Sequence, residues 1–222
     1  MWFEHHDFAL ILLQIVAIDL LLGGDNAVVI ALACRKLPPQ RQKKAIILGT
    51  IGAIVARVVL LIIAVQLLAL PWLKVAGGLL LLWIGFKLVS NDEEEASVSS
   101  DSRLWKTVLT ITLADVVMSL DNVLAVAAAG KGNVWLVSLG VLISIPVIVM
   151  GSQLVLKVLS RFPFIVTLGG ALIGWIAGSM LVTDPALLRF TGHLASLHWI
   201  AGTVGALLVM GYGVGRSVLA KP

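Results

Sequence analysis

Asp19-Leu-Leu-Leu-Gly-Gly-Asp25-Asn26-Ala-Val-Val-Ile-Ala and, ninety-six residues later, Asp115-Val-Val-Met-Ser-Leu-Asp121-Asn122-Val-Leu-Ala-Val-Ala both lie inside long hydrophobic runs. A carboxylate at the bilayer centre costs about 2.5–3.5 kcal/mol on insertion scales. Four of them in two matched motifs therefore point to a bound cation, a proton path or a specific partner.

The surrounding sequence sets the class. Of the 222 residues, 59 % are hydrophobic and 13 % are charged, and the mean hydropathy is +1.06. Apolar runs of this length read as membrane-spanning helices. The pattern predicts seven, near 8–33, 45–70, 72–89, 107–129, 134–156, 163–182 and 199–217. The first is not expected to be a cleaved signal peptide, because Met1–Asp7 has no basic region and the run carries Asp19 and Asp25.

The duplication extends beyond the acidic motif. Leu48-Gly49 is matched by Leu139-Gly140, and Pro71-x5-Gly77-Gly78-x4-Trp83-Ile84 by Pro163-x5-Gly169-Gly170-x4-Trp175-Ile176. Residues 8–89 and 104–182 thus read as two copies of a three-helix unit. The acidic, serine-rich stretch 90–103 reads as a linker, and the helix at 199–217 as an addition. Three is odd, so the second copy enters the membrane from the opposite side. The expected fold is one all-α polytopic domain over 1–222, built from two inverted three-helix repeats and one extra helix. Inverted repeats of this kind are a mark of secondary transporters, with the site near the midplane.

Orientation follows from the basic residues of the short loops. Alternate connections and the tail carry Arg35, Lys36, Arg41, Lys43, Lys44, Lys87, Arg103, Lys106, Lys157, Arg161, Arg216 and Lys221. The opposite side has Lys74, Lys131 and Arg189. The N-terminus is expected outside and the C-terminus in the cytoplasm. The net charge of +4 is then a topology signal, and the scatter of its residues argues against nucleic acid. Cys34 is the only cysteine, which excludes an intrachain disulfide and a thiolate metal cluster.

On a continuous helix Asp19 and Asp25 would lie roughly 9 Å apart and on different faces. Antiparallel copies should place Asp19 level with Asp121, and Asp25 level with Asp115, in two layers flanking the midplane. Gly23-Gly24 allows either a helix break that exposes carbonyls or close helix packing. The second copy has Ser119-Leu120 there, which makes a break less assured.

The candidate metal ligands are Asp19, Asp25, Asn26, Asp115, Asp121 and Asn122. They form a hard, oxygen-only set suited to Mg²⁺, Ca²⁺ or Mn²⁺. His5, His6, His193 and His198 fall at the outer side, outside the expected spans. Arg57, inside the second span, needs a partner, and an Asp is the natural one. It serves either as a counter-charge that competes with the cation or as a structural salt bridge. Trp2, Trp72, Trp105, Trp135 and Trp199 fall near span ends as an interfacial belt, whereas Trp83 and Trp175 sit deeper and are expected to pack.

Through the Asp19–Ala31 and Ala114–Val123 stretches, the Pro-to-Gly-Gly segments and Thr183-Asp184-Pro185, residues 8–185 resemble the TerC family of integral membrane proteins. The likeness is to its YjbE-type branch, within the LysE-like transporter superfamily. The resemblance implies export of divalent metal ions, Mn²⁺ above all, or a role in tellurite resistance, from a bacterial plasma membrane. It also implies that the six motif residues line the metal path. The expected partners are a divalent metal ion as substrate and the lipid bilayer, with self-association left open. No cofactor and no enzymatic activity are expected. Two rival readings remain: an H⁺- or Na⁺-coupled antiporter that carries no divalent metal, and a membrane component of a metal- or tellurite-stress complex. An intramembrane aspartyl protease fits poorly, since Leu22 stands where a Gly-x-Gly-Asp signature needs glycine.

Overall fold

The computed structural model describes residues 2–68, 70–90, 100–129, 133–162, 164–187 and 195–219. These form eight α-helices and no strand among the described residues: α1 (Trp2–Leu22), α2 (Gly24–Cys34), α3 (Pro39–Leu68), α4 (Leu73–Val89), α5 (Ser100–Ala129), α6 (Val134–Arg161), α7 (Phe164–Val182) and α8 (Ala195–Leu219). Residues 100–103 of the expected linker already belong to α5. Pro163, Lys131, Arg189 and His193 lie outside the described residues.

Four segments are long and apolar enough to cross a membrane: Pro39–Ile63, Trp135–Arg161, Phe164–Val182 and Ser196–Arg216. A fifth is the pair Phe8–Leu22 and Gly24–Cys34, bent by 48° at Gly23. The expected first span is therefore a broken helix, whereas its counterpart α5 runs unbroken. A Cβ at Gly23 would lie 2.7 Å from the Asp19 carbonyl oxygen, so the break uses a position where a side chain does not fit. α4 has 17 residues, short for a straight span of about 20.

The outside of the bundle is apolar: Leu21, Trp135 and Met150 are all largely exposed. That is the surface a bilayer covers. Inside, Leu32, Ile46, Leu81, Ile84, Ile111, Ile173 and Val209 are fully buried in one cluster. A smaller cluster joins Ile15 to Val126, Val137 and Val141.

Helix contacts come in exchanged pairs. Gly49 of α3 faces Ile111 of α5, and Gly140 of α6 faces Ile15 of α1. Gly78 of α4 faces Leu181 of α7, and Gly170 of α7 faces Val89 of α4. Each residue in one contact occupies the repeat-equivalent position of a residue in the other. α8 breaks this balance, because it lies mainly along α7, with Gly174 against Gly205. Trp175 accordingly packs edge-on to Trp199 at 5.3 Å. The expectation that Trp83 packs in the same way is wrong. Trp83 is 56 % exposed, with the Lys87 ammonium 5.1 Å over its ring, and among the described residues no ring packs on it.

α4 is capped from the far half of the chain. Its own flanking residue Trp72, at φ 69°, supplies no side-chain cap. Instead the fully buried Asp184, just past α7, accepts from the backbone N–H groups of Trp72 (3.0 Å), Lys74 (3.0 Å), Val75 (3.3 Å) and Ala186 (2.8 Å). A carboxylate at a helix N-terminus satisfies orphan donors and meets the positive end of the dipole. Burial alone would push this carboxyl up, but the N–H donors of Ala186, Trp72, Val75 and Lys74 hold it below the ordinary carboxylate range. A lowered folded-state value means the latch contributes its full stability above the unfolded value and loses it as pH falls through the folded one. Asp184→Ala should lower stability by about 1–3 kcal/mol in thermal unfolding at neutral pH. The gap to the parent should close only in strong acid, and a gap unchanged by acid would refute the capping role.

Candidate functional site: a buried arginine between two aspartates

Three ionisable side chains meet in the interior. Asp19 near the end of α1 is 2 % exposed, Asp115 in mid-α5 8 % and Arg57 in α3 9 %, so none of these charges has bulk water to solvate it. Arg57 Nη1 donates to Asp19 Oδ1 at 2.6 Å and Nη2 to Asp115 Oδ1 at 2.7 Å. Its Nε donates to Ser119 Oγ at 3.1 Å. Each partner is held in turn. Asn26 Nδ2 donates to Asp115 Oδ1 at 2.8 Å, Ser119 Oγ to Asp115 Oδ2 at 3.2 Å, and Ser144 Oγ of α6 to Asp19 Oδ2. A rigid guanidinium fork with several charge-assisted bonds fixes geometry as well as charge.

The local sequence explains the placement. Ser119 follows Asp115 by one turn and shares its face. The break at Gly23 turns α2 so that Asn26 reaches Asp115. It also frees the Leu22 carbonyl, which accepts from Asn122 Nδ2 at 3.1 Å. Both asparagines of the duplicated motif therefore reach across to the other half, one to a carboxylate and one to the broken backbone.

Asp19 and Asp115, the matching residues of the two motifs, share one arginine, a contact that the expected pairing of Asp19 with Asp121 and of Asp25 with Asp115 did not include. Asp25 is half-buried in the first turn of α2. The side chain of Asp121 lies outside the described residues, so the Asp19–Asp121 level has no counterpart in the description. Side chains of His5 and His6 also lie outside it; His198 is exposed on α8.

Three buried oxygens near the motifs have no hydrogen-bond partner among the described residues: Asp25 Oδ1, Asn26 Oδ1 and Thr50 Oγ1. Orphaned acceptors of this kind are costly in an apolar interior. Two cavities of about 20 Å³ each flank the ion pair. One is walled by Asn122 and Ser138, the other by Thr50, Asp115 and Ser144, and Asp19 and Arg57 line both. Each has room for about one water-sized sphere. Arg57 and Asp19 thus lie between two small, mainly apolar spaces. Among the described residues, no group of three or more His, Cys, Asp or Glu is placed to hold a metal ion.

Sequence reasoning named Arg57 and its class of partner but missed Thr50, Ser144 and the hydrogen-bonding role of Ser119. A signal existed for Ser119 in its four-residue spacing from Asp115. None existed for Thr50 or Ser144, whose relevance depends on how α3 and α6 cross the acidic helices.

A multi-pass helical membrane protein with a cluster of ionisable side chains buried in its interior is the class these features define. Within that class the chain belongs to the integral membrane protein TerC family, which matches residues 4–217. It is 45 % identical over 203 residues to the uncharacterized membrane protein YjbE of Bacillus subtilis (strain 168), covering 91 % of this chain and 90 % of that one. It is 30 % identical to the uncharacterized membrane protein YceF of the same organism, over 75 % of this chain and 68 % of the relative. The UPF0053 protein YegH of Escherichia coli (strain K12) is 28 % identical over 71 % of this chain and 33 % of its own length. No solved structure matches.

Proposed function

We propose that this chain is a secondary transporter that exports divalent metal ions, Mn²⁺ foremost, through the Asp19–Asp115 site, with Arg57 as the counter-charge of the empty state. The observation that carries this reading is the single guanidinium bridging both aspartates between two cavities. Two buried carboxylates cannot be left bare, because removing one partner of a buried ion pair costs about 3–5 kcal/mol. Departure of Arg57 must therefore accompany arrival of a cation. The unpartnered oxygens of Asp25, Asn26 and Thr50 supply further hard ligands suited to Mn²⁺, Mg²⁺ or Ca²⁺. Asn122 and Asp121, the latter on its motif alone, extend the path toward the other face.

The exchanged contacts of Gly49 with Gly140 and of Gly78 with Gly170 support an inverted repeat, since a two-fold axis in the membrane plane swaps the roles of the halves. On this reading the chain crosses the membrane seven times, with α1 and α2 as one broken span, the N-terminus outside and the C-terminus in the cytoplasm of a bacterium. The broken helix, with its freed Leu22 carbonyl, suits a cation path.

The rival readings, an H⁺- or Na⁺-coupled antiporter or a membrane component of a stress complex, draw on one observation: every oxygen of both carboxylates already accepts from a protein partner. Vesicles containing only the purified chain, loaded in turn with Mn²⁺, Ca²⁺, Mg²⁺ and Zn²⁺, separate the three. Mn²⁺ flux above that of protein-free vesicles is the expected result. Flux of H⁺ or Na⁺ alone would assign the antiporter, and no flux of any ion would leave the stress-complex component.

A further inference from the structure

Where α2 ends, α3 begins and α6 finishes, the bundle opens into a cavity of about 570 Å³. Arg35 and Lys36 from the α2–α3 turn, Lys43 from α3 and Lys157 from α6 all line it, and no acidic side chain does so among the described residues. Ile46, Leu156, Leu159 and Val166 make up its apolar wall. The first turns of α3, from Pro39 onward, form one side, so the positive end of a 30-residue helix dipole faces the same space. Arg35 is held in place by donation from Nη2 to the Leu88 carbonyl at 3.1 Å. Asp101, the acidic residue at the start of α5, is paired with Arg41, which does not line the cavity.

Topology alone does not call for this arrangement. The bias of basic residues to one side of a membrane is met by charges scattered over loops, whereas here four cations from three chain segments line one hollow. A cavity that joins convergent cations to an apolar wall matches an anion carried on an amphiphile, and basic pockets between membrane helices bind lipid head groups in this way.

We propose that this cavity is a phosphate-binding site, filled from the bilayer by an anionic phospholipid head group or from solution by a phosphate compound. It uses none of the residues of the aspartate–arginine cluster and stands apart from the transport reading. The test is ligand binding to the purified full chain in neutral detergent, read by native mass spectrometry and thermal unfolding. The probes are phosphatidylglycerol, phosphatidylcholine and inorganic pyrophosphate. Phosphatidylglycerol or pyrophosphate should bind and stabilise where phosphatidylcholine does not. Lys43→Gln combined with Lys157→Gln should weaken that binding by roughly thirtyfold, at about fivefold per cation. Lys106→Gln, a cation outside this cavity, should leave it unchanged. A response to phosphatidylglycerol alone assigns the lipid as source, and a response to pyrophosphate assigns the soluble compound. Equal binding by parent and double variant, or no preference for phosphatidylglycerol or pyrophosphate over phosphatidylcholine, overturns the proposal.

Discussion

Asp115→Asn is expected to abolish metal flux while leaving a folded, membrane-inserted protein. Asparagine keeps the size of the side chain and one acceptor oxygen, so the bonds from Arg57 Nη2 and Asn26 Nδ2 at 2.7 and 2.8 Å can persist. What changes is charge. With both aspartates ionised, a divalent ion that displaces Arg57 meets two compensating charges; with Asp115→Asn it meets one. The uncompensated charge then sits in a space of low dielectric, where each unpaired ion costs several kcal/mol. Outer partners of a metal ligand are commonly worth 10–100-fold, so loss of a carboxylate within the site should cost more than about 100-fold in initial rate. The measurement is Mn²⁺ flux in vesicles matched for protein content, with gel filtration confirming a monodisperse fold. Asp19→Asn should behave alike, because Asp19 is the repeat-equivalent residue on the same guanidinium. Undiminished flux in both variants would remove these carboxylates from the path.

The sequence carried much of this. Length and apolarity of the runs located the helices, with several ends displaced by five to seven residues and the first run split in two, and the duplicated acidic motif picked out Asp19 and Asp115, which prove to be buried. The need of Arg57 for an acidic partner followed from its position in an apolar run. What escaped depends on where helices cross. The shared use of Arg57 by Asp19 and Asp115 required knowing how α1, α3 and α5 pack together, which a motif repeated in sequence does not say. The capping of α4 by Asp184 joins residues 109 to 112 positions apart, and local pattern is blind to it. Trp83 and Trp175 look equivalent in sequence, yet one packs and one is exposed because α8 settles on α7. Gly23-Gly24 allowed both a break and close packing. The bend at Gly23 and the capture of the Leu22 carbonyl by Asn122 belong to the first reading.

Removal of the arginine should distinguish a resting counter-charge from a permanent strut. Arg57→Gln leaves Asp19 and Asp115 facing each other with only the bonds from Ser144, Ser119 and Asn26. A buried charge stripped of its partner typically costs about 3–5 kcal/mol, so this variant should unfold well below the parent in detergent at neutral pH. If the two aspartates form a cation site, Mn²⁺ can take the vacated place, and stability should then rise with concentration by the binding term, about 2.7 kcal/mol at a hundred times Kd. The parent should respond far less, because the ion must first displace a guanidinium already bonded to three groups. Choline chloride at equal ionic strength controls for general screening. The pair Arg57→Gln with Asp115→Asn should recover part of the stability, having one bare carboxylate instead of two, and should lose the response to Mn²⁺. If Arg57 is a strut alone, Arg57→Gln will be unstable and Mn²⁺ will not restore it. That outcome would separate the ion pair from transport even if the vesicles carry metal, and the path would then have to run through Asp25 and the second motif.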